Sequence, residues 1–102
     1  VTALLLAGQI VLASWYGPGF HGRLTASGER FDQNAATCAH RTAKFGTVLR
    51  LTRLANGKTA TCRVSDRGPF VAGRALDVSR AVAKRLGFLD AGLARVRIER
   101  ID

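Results

Sequence analysis

Residues 48–65, Val-Leu-Arg-Leu-Thr-Arg-Leu-Ala-Asn-Gly-Lys-Thr-Ala-Thr-Cys-Arg-Val-Ser, decide the fold. In 48–54, Leu49 and Leu51 alternate with Arg50 and Thr52. In 59–65, Ala60, Cys62 and Val64 alternate with Thr59, Thr61 and Arg63. A period of two turns one face of each run inward and the other to water, so both runs read as strands. Asn56-Gly57 between them is a strong hairpin signal. Working outward, 9–16 (QIVLASWY), 36–41 (ATCAHR), 74–78 (RALDV) and 93–99 (LARVRIE) read as four further short strands. Only one segment reads as a helix. Ser79 caps it, Val82 and Leu86 lie four apart, Lys84 and Arg85 suit its negative end, and Gly87 stops it. Six short strands and one short helix predict a compact β-barrel or sandwich, and closing a barrel removes the edges that invite aggregation.

The 102 residues leave room for one domain and one core. Sixteen Lys and Arg against seven Asp and Glu leave a net charge of +9, which favours a polyanionic partner. Nucleic acid is disfavoured, because an RNP-type signature is missing and aromatic residues for base stacking are few. Residues 1–8 read as a signal-peptide remnant or an N-terminal extension, with the domain spanning 9–102. No apolar run reaches the roughly 20 residues that a membrane span needs. Cys38 and Cys62 sit in strand-like runs outside any metal-ligand spacing. They are read as one disulfide in preference to a buried thiol pair, which implies an oxidising compartment, periplasmic or extracellular. No metal site and no cofactor is expected, since no phosphate loop or dinucleotide fingerprint is present.

Four of the seven carboxylates merit attention. Asp66 ends a strand and opens Asp66-Arg-Gly-Pro-Phe70, where Gly68-Pro69 forces a turn. Desolvation beside Phe70 would raise its pKa and Arg67 would lower it, the conditions of a tunable general acid. Glu29 and Asp32 lie in the Gly-rich segment 17–34, read as a long functional loop and a substrate-binding lip. Asp77 either contributes to a site or serves the start of the helix. Trp15 and Tyr16 either stack on sugar rings or enter the core. Strand parity puts Cys38 with His40 on one face and Cys62 with Asp66 on one face. Were the two strands parallel, His40 and Asp66 would share one end of the barrel; antiparallel pairing would separate them.

Taken in order, Ala13-Ser-Trp-Tyr-Gly17, Thr25-Ala-Ser-Gly-Glu29, Ala39-His-Arg-Thr42, Phe45-Gly-Thr47, Asn56-Gly57, Asp66-Arg-Gly-Pro-Phe70 and Asp77-Val-Ser79 resemble the rare lipoprotein A family. These are septal-ring lytic transglycosylases built on a double-psi β-barrel, and the barrel is also similar to those of expansins and family 45 endoglucanases. The resemblance implies a mainly β fold, a six-stranded double-psi barrel with one short helix. It also implies endolytic cleavage of the peptidoglycan glycan, preferring peptide-free strands, to 1,6-anhydro-muramic ends.

The family's essential residues fall on Glu29, His40 and Asp66, and the second Asp of related barrels falls near Asp77. Trp15, Tyr16, Thr25, Arg67, Phe70 and Asp77 are the expected substrate contacts. The expected partner is the glycan strand, met by a monomer. Membrane association is expected only through a lipid anchor on the full-length protein, and the anchoring Cys is not seen, since Leu6-Ala-Gly8 runs into Gln9. The alternative is a non-catalytic, expansin-like module that holds glycan without cutting it.

Overall fold

Alternation along each run becomes a closed wall in the computed structural model, which describes residues 7–102. The strands are β1 (Ala7–Trp15), β2 (Thr37–Ala39), β3 (Val48–Arg53), β4 (Thr59–Asp66), β5 (Leu76–Val78) and β6 (Leu93–Arg100). They close in the order β1-β5-β2-β4-β3-β6. The reading of residues 1–8 as a leader remnant or extension lies mostly outside the described residues.

The inward positions of every strand meet in one core. Leu49, Leu51, Val64, Leu76, Val78, Val96 and Ile98 are almost wholly buried. Helix α1 (Arg80–Leu86) closes one side of the barrel with Val82, Ala83 and Leu86. Its ends are those expected. The Ser79 side chain accepts from Val82 N, and Gly87 takes the left-handed conformation (φ +83°) that L side chains rarely adopt. Arg53 N donates to Lys58 O at 2.9 Å to close the β3–β4 hairpin, and Asn56 Nδ2 donates to Leu86 O at 3.1 Å. The hairpin is thereby tied to the end of α1.

The barrel is mixed. β1 pairs in parallel with β5, and β2 in parallel with β4; β1–β6, β2–β5, β3–β4 and β3–β6 are antiparallel. Cys38 and Cys62 form a disulfide across the parallel β2–β4 pair, with their Cα atoms 5.7 Å apart. Parallel pairing carries His40 and Asp66 to the same end, where His40 N donates to Asp66 O at 3.2 Å.

The expected face of Asp66 is corrected. Cys38 pairs with Val64 and the next residue, Ala39, pairs with Asp66, so one step along β2 matches two along β4. Ser65 is the extra residue of this bulge, and both it and Val64 are buried. The bulge reverses the alternation and turns Asp66 to the outside of the barrel, away from the inward face of Cys62. A regular strand would have aimed its carboxyl into the core.

The Gly-rich segment is also more ordered than a structureless loop. Gly22 N donates to Phe31 O (2.7 Å), Phe31 N to Arg23 O (2.8 Å) and Thr25 N to Glu29 O (2.9 Å). These bonds make a small hairpin with its tip at 25–29. It satisfies backbone groups that an open loop of this length would leave to solvent.

Candidate active site

Register places the chemistry. Ser14 pairs with Asp77, Asp77 with Ala39, and Ala39 with Asp66. Paired residues point to the same face, so these four side chains form a row across β1, β5, β2 and β4 on the outside of the barrel. The two carboxyls flank the small Ala39, their strands separated by two spacings of about 4.8 Å each.

Asp66 is held from three directions. Tyr16 Oη donates to Oδ2 at 2.7 Å, while Ala26 N (2.8 Å) and Arg67 N (2.9 Å) donate to Oδ1. Both carboxylate oxygens therefore act as acceptors. The Tyr16 ring is stacked on Phe31 with centroids 4.3 Å apart, and meets Phe20 edge-on at 5.7 Å. Burial, then the bond to Asp66 and the charges of Asp66 and Asp77, push the Tyr16 phenol far above its ordinary value, so it remains a proton donor.

Asp77 has a different setting. Ser14 Oγ donates to its Oδ1 at 3.1 Å. Burial pushes the Asp77 carboxyl above the ordinary carboxylate value; the Ser14 bond and Arg74 oppose the rise, and Asp66 adds to it. The row thus carries one carboxyl gripped as an acceptor and one whose burial favours the protonated form.

Both carboxyls open into a groove of about 470 Å³. Phe20, Arg23, Leu24, Phe70 and Arg74 are among its walls, so the Gly-rich segment does form one lip. Phe70 is 80% exposed, a flat apolar face presented to the groove. Gly68 (φ +123°) turns the chain from Asp66 back along this wall. Arg41 fastens the wall from behind, its Nε donating to Pro69 O (2.7 Å) and its Nη2 to Val71 O (3.1 Å) and Arg74 O (2.5 Å).

The remaining expected residues lie elsewhere. Glu29 is not among the groove walls; Arg63 holds its carboxylate at 3.1 and 3.3 Å, at the tip of the hairpin whose Ala26 contacts Asp66. His40 Nδ1 accepts from Thr42 N (3.1 Å) and Ala43 N (3.0 Å), so its imidazole organises the turn after β2. Burial, with Arg67 and Arg41 nearby, lowers its pKa and keeps the ring neutral.

Arg67 lines the groove, and its guanidinium is anchored to Ala43 O (2.7 Å) and His40 O (3.3 Å), 4.0 Å over the Phe45 ring. Thr25 Oγ1 donates to Glu29 O at 2.8 Å within the hairpin tip. Trp15 packs against the core and does not line the groove, whereas Tyr16 does. Parity separates these adjacent aromatics, because Tyr16 shares the outer face of Ser14.

Three contributors were not singled out from the sequence. Ser14 and Arg41 lie inside quoted motifs but act through neighbours distant in the chain, and Phe31 lies beneath Tyr16. Only register and long-range contacts reveal them.

A closed, mixed six-strand barrel with one short helix and an open groove across its outer face defines the double-psi β-barrel class. Solved structures of this fold include the Streptomyces papain inhibitor (TM-score 0.67, 21% identity, 92% of this chain and 97% of that one). They also include apo-Clavibacter michiganensis expansin (TM-score 0.70, 20% identity, 91% of this chain and 50% of that one). A family profile described as lytic transglycolase matches residues 9–98.

The chain belongs to that family. It is 52% identical over 88 residues to the probable endolytic peptidoglycan transglycosylase RlpA of Synechocystis sp., covering 86% of this chain and 27% of the relative. It is 53% identical over 89 residues to the endolytic peptidoglycan transglycosylase RlpA of Neisseria meningitidis serogroup A, covering 87% and 37%. The chain therefore spans between about a quarter and two-fifths of the length of these curated relatives.

Proposed function

We propose that this barrel is the catalytic domain of an endolytic peptidoglycan lytic transglycosylase, acting outside the cytoplasm. Membership of the lytic transglycolase family supports the reaction class, and the disulfide supports the compartment. The observation that carries the mechanism is the outward row in which Asp77 and Asp66 flank Ala39 over one groove.

Asp77, whose burial raises its pKa above the ordinary carboxylate value, acts as the acid and gives a proton to the glycosidic oxygen between muramic acid and glucosamine as the bond to C1 breaks. Asp66 takes the proton of the muramic 6-hydroxyl as that oxygen bonds to C1. One bond breaks and one forms, the leaving oxygen takes a proton from Asp77 and the attacking oxygen gives one to Asp66. No water is consumed, and the proton on Asp66 returns to Asp77 through solvent before the next turnover. Tyr16, Ala26 N and Arg67 N hold the accepting carboxylate in place. Phe70 offers a sugar-stacking face, and Arg23 and Arg74 attract the carboxylates of the glycan. Glu29 and His40 are positioning residues in this reading, one at the hairpin that delivers Ala26 N and the other at the turn that receives Arg67.

Peptide-free sacculi and mass spectrometry of the soluble products test the proposal. Wild-type protein should release 1,6-anhydro-muramic fragments, and Asp66→Asn and Asp77→Asn should each lower the rate at least about 100-fold, the scale of general acid–base contributions. Binding to sacculi with no soluble product would select the non-catalytic module. Full release by both variants would refute the two-carboxyl mechanism.

A further inference from the structure

A second cavity, larger than the groove at Asp66, lies apart from it. It measures about 740 Å³ and lies between α1 and strands β3 and β4. Arg50, Arg80, Lys84 and Arg85 line it, with the hydroxyls of Thr59 and Thr61, and no acidic residue is among its walls. It shares no residue with the groove.

In the groove, Arg67 and its support Arg41 are occupied by backbone carbonyls, which leaves Arg23 and Arg74 to face a ligand there. The cations of the second cavity are largely free. Arg50 meets Glu99 at 3.5 Å, but among the described residues Arg80, Lys84 and Arg85 enter no ion pair.

Helix stability accounts for Lys84 and Arg85 in the last turn but not for Arg80. Arg80 and Lys84 are four apart, a like-charge spacing that destabilises a helix. Arg80 also occupies the first turn, where the helix field disfavours a cation, and no acidic residue offsets it. Arg80, which its own helix disfavours, gathered with Lys84, Arg85 and Arg50 over one cavity without an acidic wall, points to an anionic ligand.

We propose that this cavity is a second wall-binding site, recognising the carboxylates of a peptidoglycan strand other than the one being cut. The proposal rests on the cell-wall reading above. Two sites on one small domain raise the local concentration of glycan at the cutting groove and prolong residence on an insoluble polymer. Recognition through exposed cations makes that residence salt-sensitive.

The test compares protein carrying Asp66→Asn, to prevent digestion, with the same protein carrying Arg80→Gln, Lys84→Gln and Arg85→Gln as well. These side chains are exposed and Gln is a good helix former, so the fold is retained and is checked by circular dichroism. On intact sacculi at low salt the triple substitution should weaken binding about tenfold or more. On sacculi whose carboxylates are amidated with carbodiimide, the two proteins should bind alike.

Sacculi with and without stem peptides separate the two sources of carboxylate. A larger difference on peptide-bearing material assigns the ligand to the stems, and a larger one on denuded material assigns it to the lactyl groups. Equal binding by both proteins on untreated sacculi, or a difference that survives amidation, overturns the proposal. Turnover of a short soluble glycan by the triple variant with Asp66 intact is read separately. Its absence in that variant and in wild type would defeat the catalytic reading without altering the binding result.

Discussion

Tyr16→Phe isolates one contact. The substitution removes the hydroxyl 2.7 Å from Asp66 Oδ2 and keeps the ring, with its stack on Phe31 at 4.3 Å. A hydrogen bond to a charged acceptor contributes about 1.5–3 kcal/mol. Asp66 is only half-buried and retains Ala26 N at 2.8 Å and Arg67 N at 2.9 Å, so water and the two amides recover part of the loss. The low end of that range applies, and about 1.4 kcal/mol corresponds to a tenfold fall in kcat/KM. Because the aromatic packing survives, stability should fall by no more than that low end, about 1.5 kcal/mol, a Tm shift within about 6–12 °C. The assay is initial release of anhydro-fragments from peptide-free glycan, with Tm followed in parallel. Repeating Tyr16→Phe in an Asp66→Asn background removes the partner, and the hydroxyl should then have little further effect. Activity within twofold of wild type, or an equal loss in both backgrounds, refutes the role of Tyr16 as the anchor of Asp66.

His40 disfavours its charged form in the folded state, so its contribution to stability is present above the unfolded value of 6.5 and is lost as pH falls below it. His40→Asn supplies an oxygen acceptor for Thr42 N and Ala43 N, and should flatten the fall in chemical-denaturation stability between about pH 7 and 5. Arg41→Ala removes three bonds to the groove wall, and should speed amide exchange in residues 67–74 and raise KM several-fold while the barrel strands exchange as before. Reducing Cys38–Cys62, which encloses a sequence separation of 24, should destabilise the domain by about 3 kcal/mol on the loop-entropy argument. Thermal unfolding with and without reductant measures it, and an unchanged Tm would show that the staple is dispensable.

The strands, the helix and its caps were legible because each depends on neighbours in the chain. Leu49 and Leu51 against Arg50, or Ser79 with Gly87, carry their meaning within one element. Pairing direction was not legible, since Cys38 and Cys62 can be bridged in either sense. The orientation of Asp66 was misread because nothing in Thr59-Ala-Thr-Cys-Arg-Val-Ser-Asp66 marks Ser65 as a bulge. The bulge is defined only against β2, through the step from Cys38–Val64 to Ala39–Asp66. The place of Glu29 outside the groove was illegible for a related reason. A loop carboxylate takes whichever cation the fold brings near, and Arg63 on β4 is 34 residues away in sequence.

The bulge also explains why a groove exists at this place on a barrel that otherwise presents Arg and Thr to solvent. β2 and β5 are three residues each, too short to cover the outer face with side chains of their own. Between the two carboxyls the outward residue of β2 is Ala39, small enough that its neighbours occupy the space above it and leave it 1% exposed. Asp77 reaches that space by ordinary alternation on β5, and Asp66 reaches it only because Ser65 shifts the phase of β4. Parallel pairing then brings the ends of β2 and β4 together, so that Asp66 precedes Arg67-Gly-Pro-Phe70 at the wall and not in the middle of a strand. A short strand, a small residue and one inserted residue thus convert a closed wall into a site where two carboxyls face the same groove.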